Sequence, residues 1–328
     1  MNSKKDTLPT IAILDDYYNR AADFADWHNA NFASFESFEE TIASQEEVIN
    51  RLQPFNAVGL MRERTPFPSD VIRHLPNLEL IVTSGKKKAS IDVSAAKDHG
   101  ITVCGTESPG HATAELVFLL IMSLSRQLVP LTNALKQQGE WQPLMGRDLR
   151  GQTLGILGLG RLGSQLASFA KTMSMRVIAW SENLTEQHCA EHSVEYVNRE
   201  NLFQQADIVS IHLRHSNRTD RLVNSVDLQR LGERGYIVNT SRAEITDLEA
   251  LKHTLDNDII AGAATDVFPL EPAGQDSWLV SHPKVLATPH IGYCTEETFA
   301  VFYSQMLDAM QAYFAGSPIR IISPTSTV

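Results

Sequence analysis

Short runs of apolar residues alternate along this chain with stretches of helical period. In the first third, Ile11–Leu14, Ala57–Met61, Leu78–Thr83 and Ile101–Cys104 read as strands. Gln45–Leu52 and Ser69–Leu75 read as helices between them. Continuous apolar runs, rather than alternating ones, are expected of parallel strands whose two faces are both covered by helices. Pro109–Leu128 follows, apolar on most sides, with Thr113, Leu116, Val117 and Leu120 at helical spacing, and is expected to be an interdomain helix. A loop over Gly139–Gly151 then opens a second series of strands at Thr153–Leu157, Arg176–Trp180, Asp207–His212, Tyr236–Thr240, Ile260–Asp266 and Val285–Thr288. Glu296–Phe314 closes the chain as a long amphipathic helix. The pattern predicts an α/β protein of two doubly wound parallel-sheet domains. Residues 1–105 form the first, completed by the C-terminal helix in 296–328, and 106–295 form the second.

Composition narrows the function. Across 328 residues, 43% are apolar and 20% charged, which excludes disordered and fibrous classes. With 28 Lys and Arg against 39 Asp and Glu the net charge is −11, a poor match for nucleic acid or an anionic membrane. Leu116–Met122, the longest apolar run, is far short of a membrane span. Ile11–Leu14 is too brief for a signal-peptide core. Cys104, Cys189 and Cys294 are too few and too dispersed for a disulfide framework or a zinc site. A cytoplasmic protein without a metal site is expected.

Gly155-Ile156-Leu157-Gly158-Leu159-Gly160-Arg161-Leu162-Gly163 carries the most specific chemistry. It leaves a strand and opens a helix, the setting a dinucleotide fingerprint requires. Gly158 permits the tight turn, Gly160 the approach of a pyrophosphate and Gly163 close packing of helix on strand. Arg161 and Leu162 lie at the helix start. Ser181, after the next strand, stands where an acidic residue would take the adenosine ribose, and Glu182 is one step on. Arg242, Glu271 and His290 each follow an apolar strand, where doubly wound folds place their sites. An arginine can clamp a carboxylate with its fork, and a carboxylate beside a histidine orients the ring for proton transfer.

GLGRLG, NTSRAEITD, DVFPLEP and TPHIGY, in this order, resemble the D-isomer-specific 2-hydroxyacid dehydrogenase family. MRERTPFP and TSGKKKASIDVSAAKDHGITVCGT resemble its substrate domain, so the similarity spans nearly the whole chain. The resemblance implies a Rossmann-type dinucleotide domain, a flavodoxin-like substrate domain and a cleft between them. It also implies hydride transfer between a nicotinamide and C2 of a 2-oxo or 2-hydroxy acid. Arg242 then binds the substrate, His290 is the acid/base and Glu271 its partner. Backbone amides at Ser84, Gly85 and Lys86 take the substrate carboxylate. Thr113 lies close to the cofactor, and His212, Ser241 and Asp266 line the nicotinamide side. Asp266 could equally hold its own loop, and Arg62 and Arg64 face substrate in some relatives. The resemblance further implies a homodimer.

Three departures stand out. Ser181 replaces the usual acid, which leaves NAD(H) or NADP(H) open with a lean to NAD. Ala243 replaces a glycine, and Arg214 replaces a proline. Two rival readings share the scaffold. Formate enzymes carry an amide where Glu271 stands, so the carboxylate argues against them. Corepressors of this fold bind NAD and partner peptides and keep the same three residues, yet the sequence shows no disordered regulatory tail.

Overall fold

A computed structural model describes residues 8–27, 29–42, 44–86 and 90–324. The chain divides into two compact units. One runs to Pro109 and resumes at Cys294; the other is Gly110–Tyr293.

The first unit holds a five-stranded sheet of β1 (Thr10–Ile13), β2 (Ser34–Ser37), β3 (Ala57–Leu60), β4 (Leu80–Thr83) and β5 (Thr102–Gly105). Its order is β2-β1-β3-β4-β5 and its pairings are parallel, the flavodoxin-like arrangement. β3 and β4 are buried along their whole length, as their unbroken apolar sequences require. β2 is absent from the sequence reading because it is an edge strand of sequence Ser-Phe-Glu-Ser, largely exposed, with no apolar run to reveal it. The helix Glu296–Phe314, capped by the Thr295 hydroxyl, packs on this sheet. A Cβ on Gly59 would lie 2.4 Å from the Met306 sulfur, so glycine in β3 is what lets the helix approach. The Tyr303 hydroxyl in turn donates to the buried Asp16 carboxylate at 3.1 Å.

The second unit is a seven-stranded parallel sheet of β6 (Thr153–Leu157), β7 (Arg176–Trp180), β8 (Glu195–Tyr196), β9 (Ile208–Ile211), β10 (Tyr236–Asn239), β11 (Gly262–Thr265) and β12 (Val285–Ala287). The order β12-β11-β10-β9-β6-β7-β8 contains the Rossmann arrangement, with its switch point between β6 and β9. Apolar clusters cover both faces of the sheet. The helix His111–Ser125 belongs to this unit and packs on the helix Arg161–Thr172 and on β10 and β11. Among the described residues no single helix is long and apolar enough to cross a membrane.

Candidate active site

The fingerprint turn is built from backbone constraints. Gly158 has φ of +100°, the left-handed region that a side chain resists, and a Cβ there would meet the His212 carbonyl at 3.0 Å. A Cβ on Gly163 would stand 2.3 Å from the Gly158 carbonyl oxygen. Backbone cannot yield at that distance. Gly163→Ala is therefore expected to cost about 1–3 kcal/mol, measured as a lower Tm together with weaker NADH binding.

Gly160, by contrast, has open space where a Cβ would be, directly at the N-terminus of the helix Arg161–Thr172. The partial positive charge of a helix N-terminus and a missing side chain at one point fit a dinucleotide pyrophosphate. Leu162 is partly exposed beside it. The Arg161 guanidinium lies against Gly110, where an added Cβ would be 2.6 Å from Nη2. Ser181 follows β7 partly exposed, its hydroxyl without a hydrogen-bond partner among the described residues, and Glu182 is exposed.

At the ends of β9 and β10 the polar groups are fixed by the chain itself. The Ser241 hydroxyl donates to the Ile211 carbonyl at 2.9 Å. Asn239 Oδ1 accepts from the Ser241 amide at 3.0 Å, and its Nδ2 donates to the Arg242 carbonyl at 2.8 Å. Asn239 thus shapes the turn that presents Arg242. The sequence offered a signal for it, a polar residue ending the buried run Tyr236-Ile237-Val238.

His212 Nε2 lies 2.9 Å from the Ser210 hydroxyl, while its Nδ1 is buried without a hydrogen-bond partner. Burial pushes this imidazole down to about 4. An unfolded histidine takes a proton below about pH 6.5, so between the two values the unfolded chain binds more protons. Stability therefore falls as pH drops from 6.5 towards 4, by on the order of 3 kcal/mol at the limit. Urea unfolding across that window should show the slope, and His212→Asn should flatten it. An unaltered slope would remove His212 as its source.

Glu271 and His290 are brought together. His290 Nδ1 lies 2.5 Å from Glu271 Oε2, and the Phe268 amide donates to Glu271 Oε1 at 2.9 Å. Burial raises the Glu271 carboxyl, but the His290 bond and charge, the Phe268 amide and the nearby Arg242 charge outweigh it, and the net shift is downward. The carboxylate is thus ionised at neutral pH, which fixes the ring hydrogen on Nδ1.

His290 has φ of +52°, a left-handed conformation unusual for a side chain of its size. It is held there by Asp266. The buried Asp266 carboxylate accepts from the Thr288 hydroxyl at 2.6 Å, the Ile291 amide at 2.9 Å and the Gly292 amide at 2.8 Å. Burial raises the Asp266 carboxyl despite these bonds. Thr113 adds a tie from the helix His111–Ser125, donating to the Gly292 carbonyl at 2.7 Å. Both residues, expected beside the cofactor, have their polar groups engaged on the His290 loop.

The Ser84 amide donates to the Leu60 carbonyl at 2.9 Å and the Gly85 amide to the Thr106 hydroxyl at 2.8 Å. Two of the three amides expected for a substrate carboxylate, those of Ser84 and Gly85, thus have partners within the chain. Lys86 is exposed and pairs with Glu107 at 2.6 Å, and Lys87 and Lys88 lie outside the described residues. Arg64 stacks on Tyr17, its guanidinium carbon 3.8 Å from the ring centroid.

Comparison with known proteins now decides the family. A model of the NAD binding domain of D-isomer specific 2-hydroxyacid dehydrogenases matches residues 118–292. The glyoxylate reductase of Korarchaeum cryptofilum is 31% identical over 287 residues, 85% of this chain and 85% of that protein. This chain belongs to the D-isomer specific 2-hydroxyacid dehydrogenase family. The D-3-phosphoglycerate dehydrogenase of Bacillus subtilis is 32% identical over 287 residues, 87% of this chain; the chain spans 54% of that relative's length. The solved phosphoglycerate oxidoreductase of Vibrio cholerae superposes with a TM-score of 0.88 at 33% identity, over 94% of this chain and all of that one. The fingerprint described above lies inside the matched NAD binding domain of this dehydrogenase family, and so do Arg242, Glu271 and His290.

Proposed function

We propose that the protein interconverts a 2-oxo acid and a D-2-hydroxy acid with a nicotinamide dinucleotide. The observation that carries this reading is the Glu271–His290 pair, set with Arg242 at the strand ends of an NAD-binding sheet. Arg242 binds the substrate carboxylate through its planar fork and draws the adjacent carbonyl into line. His290 Nε2 gives a proton to the carbonyl oxygen during reduction and takes it back during oxidation. Glu271 holds the Nδ1 hydrogen throughout, so the ring keeps one tautomer. Asp266, Thr288 and Thr113 position the His290 loop without touching the reacting atoms. Gly158, Gly160 and Gly163 would hold the pyrophosphate of the dinucleotide, whose nicotinamide would supply or accept the hydride.

In this reading the unit running to Pro109 and resuming at Cys294 is the substrate domain and the other is the dinucleotide domain. Arg242 is the carboxylate anchor of the dinucleotide domain. The ionised Glu271 favours this reading over a formate enzyme. Assay of a panel of 2-oxo acids with NADH and with NADPH tests it. Turnover of at least one acid that disappears in Glu271→Ala and Arg242→Ala is expected; full activity in both variants would overturn it.

The cofactor is proposed to be NAD(H). Ser181 can take a ribose hydroxyl and Glu182 disfavours a phosphate, while Arg161 is placed against Gly110. Ser181→Asp should raise the preference for NADH over NADPH about tenfold or more, from the ratio of kcat/KM values. An unchanged ratio would place the ribose elsewhere.

A homodimer is proposed as well, through the second unit. The segment from Leu128 to Met145 presents Leu128, Leu135, Trp141 and Met145 to solvent, Trp141 at 78% and Met145 at 92% exposure. An apolar arm of this size is a candidate surface for a second copy. Three free cysteines agree with a reducing cytoplasmic setting.

A further inference from the structure

A partly exposed histidine of the second unit is turned inward onto the fingerprint turn, and the proposed reaction gives it no part. His188 Nε2 lies 3.0 Å from the carbonyl oxygen of Leu159, the residue between Gly158 and Gly160. Leu159 is buried and its carbonyl can only accept, so Nε2 carries a hydrogen. With 44% of its side chain exposed, His188 has water within reach for that hydrogen, yet the ring directs it to backbone. We propose, on the reading that Gly158, Gly160 and Gly163 hold the pyrophosphate, that His188 is a positioning residue for the dinucleotide. It holds the Leu159–Gly160 peptide in the orientation that presents the helix N-terminus to the cofactor.

Peptide geometry gives this one bond its leverage. In a planar trans peptide the C=O and the following N–H point in opposite directions. Fixing the Leu159 carbonyl towards the helix Glu186–Glu191 therefore fixes the Gly160 amide away from it. It also sets the plane from which the helix Arg161–Thr172 departs, since Gly160 is the N-cap of that helix, in extended conformation. One residue earlier, the Gly158 amide donates to the Trp180 carbonyl at 2.9 Å. The turn is thus tied at Gly158 to the end of β7 and at Leu159 to the helix that follows β7. Between the two ties lies Ser181, the proposed ribose contact, whose carbonyl accepts from the Leu184 amide at 3.0 Å. The same bond therefore sets the spacing between the pyrophosphate cradle and the ribose site.

His188 is itself well held. The Thr185 hydroxyl caps its helix, accepting from the His188 amide at 3.2 Å, and the adjacent Cys189 is buried in the core. The His192 ring meets the His188 ring edge to face, with 4.9 Å between centroids. Lys171 Nζ donates to the His192 carbonyl at 2.6 Å, joining this helix to the one that starts at the fingerprint. Either protonation state serves: the neutral ring with its hydrogen on Nε2 and the imidazolium both donate to Leu159, and the imidazolium also faces Glu191 Oε2, 3.6 Å from Nδ1.

Fluorescence titration with NADH and with ADP-ribose, together with steady-state kinetics on the best 2-oxo acid of the panel, tests the proposal. His188→Phe keeps a ring against His192 and removes the donor; His188→Ala removes both; His188→Gln returns an N–H at similar reach. His188→Phe and His188→Ala are expected to raise the Kd and KM for NADH about three- to tenfold, the scale of one net hydrogen bond, with kcat at saturating NADH and KM for the oxo acid unchanged. ADP-ribose, which has the adenosine and pyrophosphate but no nicotinamide, should weaken by the same factor. His188→Gln should restore the wild-type affinity. Wild-type NADH affinity in folded His188→Phe and His188→Ala would overturn the positioning role, as would a loss that His188→Gln shares in full. A wild-type protein that binds no NADH would instead overturn the reading of the cradle.

Discussion

Arg242→Lys is expected to lower kcat/KM for the best 2-oxo acid about 10- to 100-fold, with a higher KM and a lower kcat. The charge is retained, so the loss isolates the fork. A lysine ammonium is a point donor and cannot hold carboxylate and carbonyl in one plane. One charge-assisted hydrogen bond lost is worth about 1.5–3 kcal/mol, and each 1.4 kcal/mol is a factor of ten. The turn around Arg242 is held mainly by Asn239, which takes the Ser241 amide and donates to the Arg242 carbonyl; the guanidinium adds one bond, from Nη1 to the Ser241 carbonyl at 2.7 Å, which a lysine ammonium can still make, so the fold should be retained. Near-normal kinetics in this variant would remove Arg242 from the site.

His290→Gln should have the larger effect, a fall in kcat of about 10²- to 10⁴-fold, the usual worth of a general acid. Glutamine can still meet Glu271 with an amide hydrogen but has no proton to give at neutral pH. NADH affinity should be unchanged, because the fingerprint glycines and the Ser181 turn are formed without His290. A variant with kcat within threefold of wild type would show that the proton comes from elsewhere. One that also lost NADH binding would show a collapse of the loop clamped by Asp266.

Much of this arrangement was legible in the sequence because side-chain identity carried it. Gly158 and Gly163 are glycines for reasons of φ and space that no other residue meets, so the turn announces itself. Fully buried strands such as β6 and β10 read as apolar runs. What stayed hidden was carried by backbone groups. The satisfaction of the Ser84 and Gly85 amides depends on the Leu60 carbonyl and the Thr106 hydroxyl, which meet them only in the folded sheet. Asp266 binds two backbone amides twenty-five and twenty-six residues away, leaving no pairwise pattern along the chain. The apolar pattern of Pro109–Leu128 gives no sign of the helical segment Leu128–Gln138, whose Pro130 lies in the first turn, where proline is tolerated.

The most direct test of the central claim follows an atom. The protein would be incubated with an accepted 2-oxo acid and NADH carrying deuterium at the transferable nicotinamide position, and the product analysed by NMR and chiral chromatography. The account predicts one deuterium on C2 of a hydroxy acid of D configuration, formed by wild type and not by His290→Gln. A product of L configuration, or one whose C2 hydrogen comes from water, would contradict it.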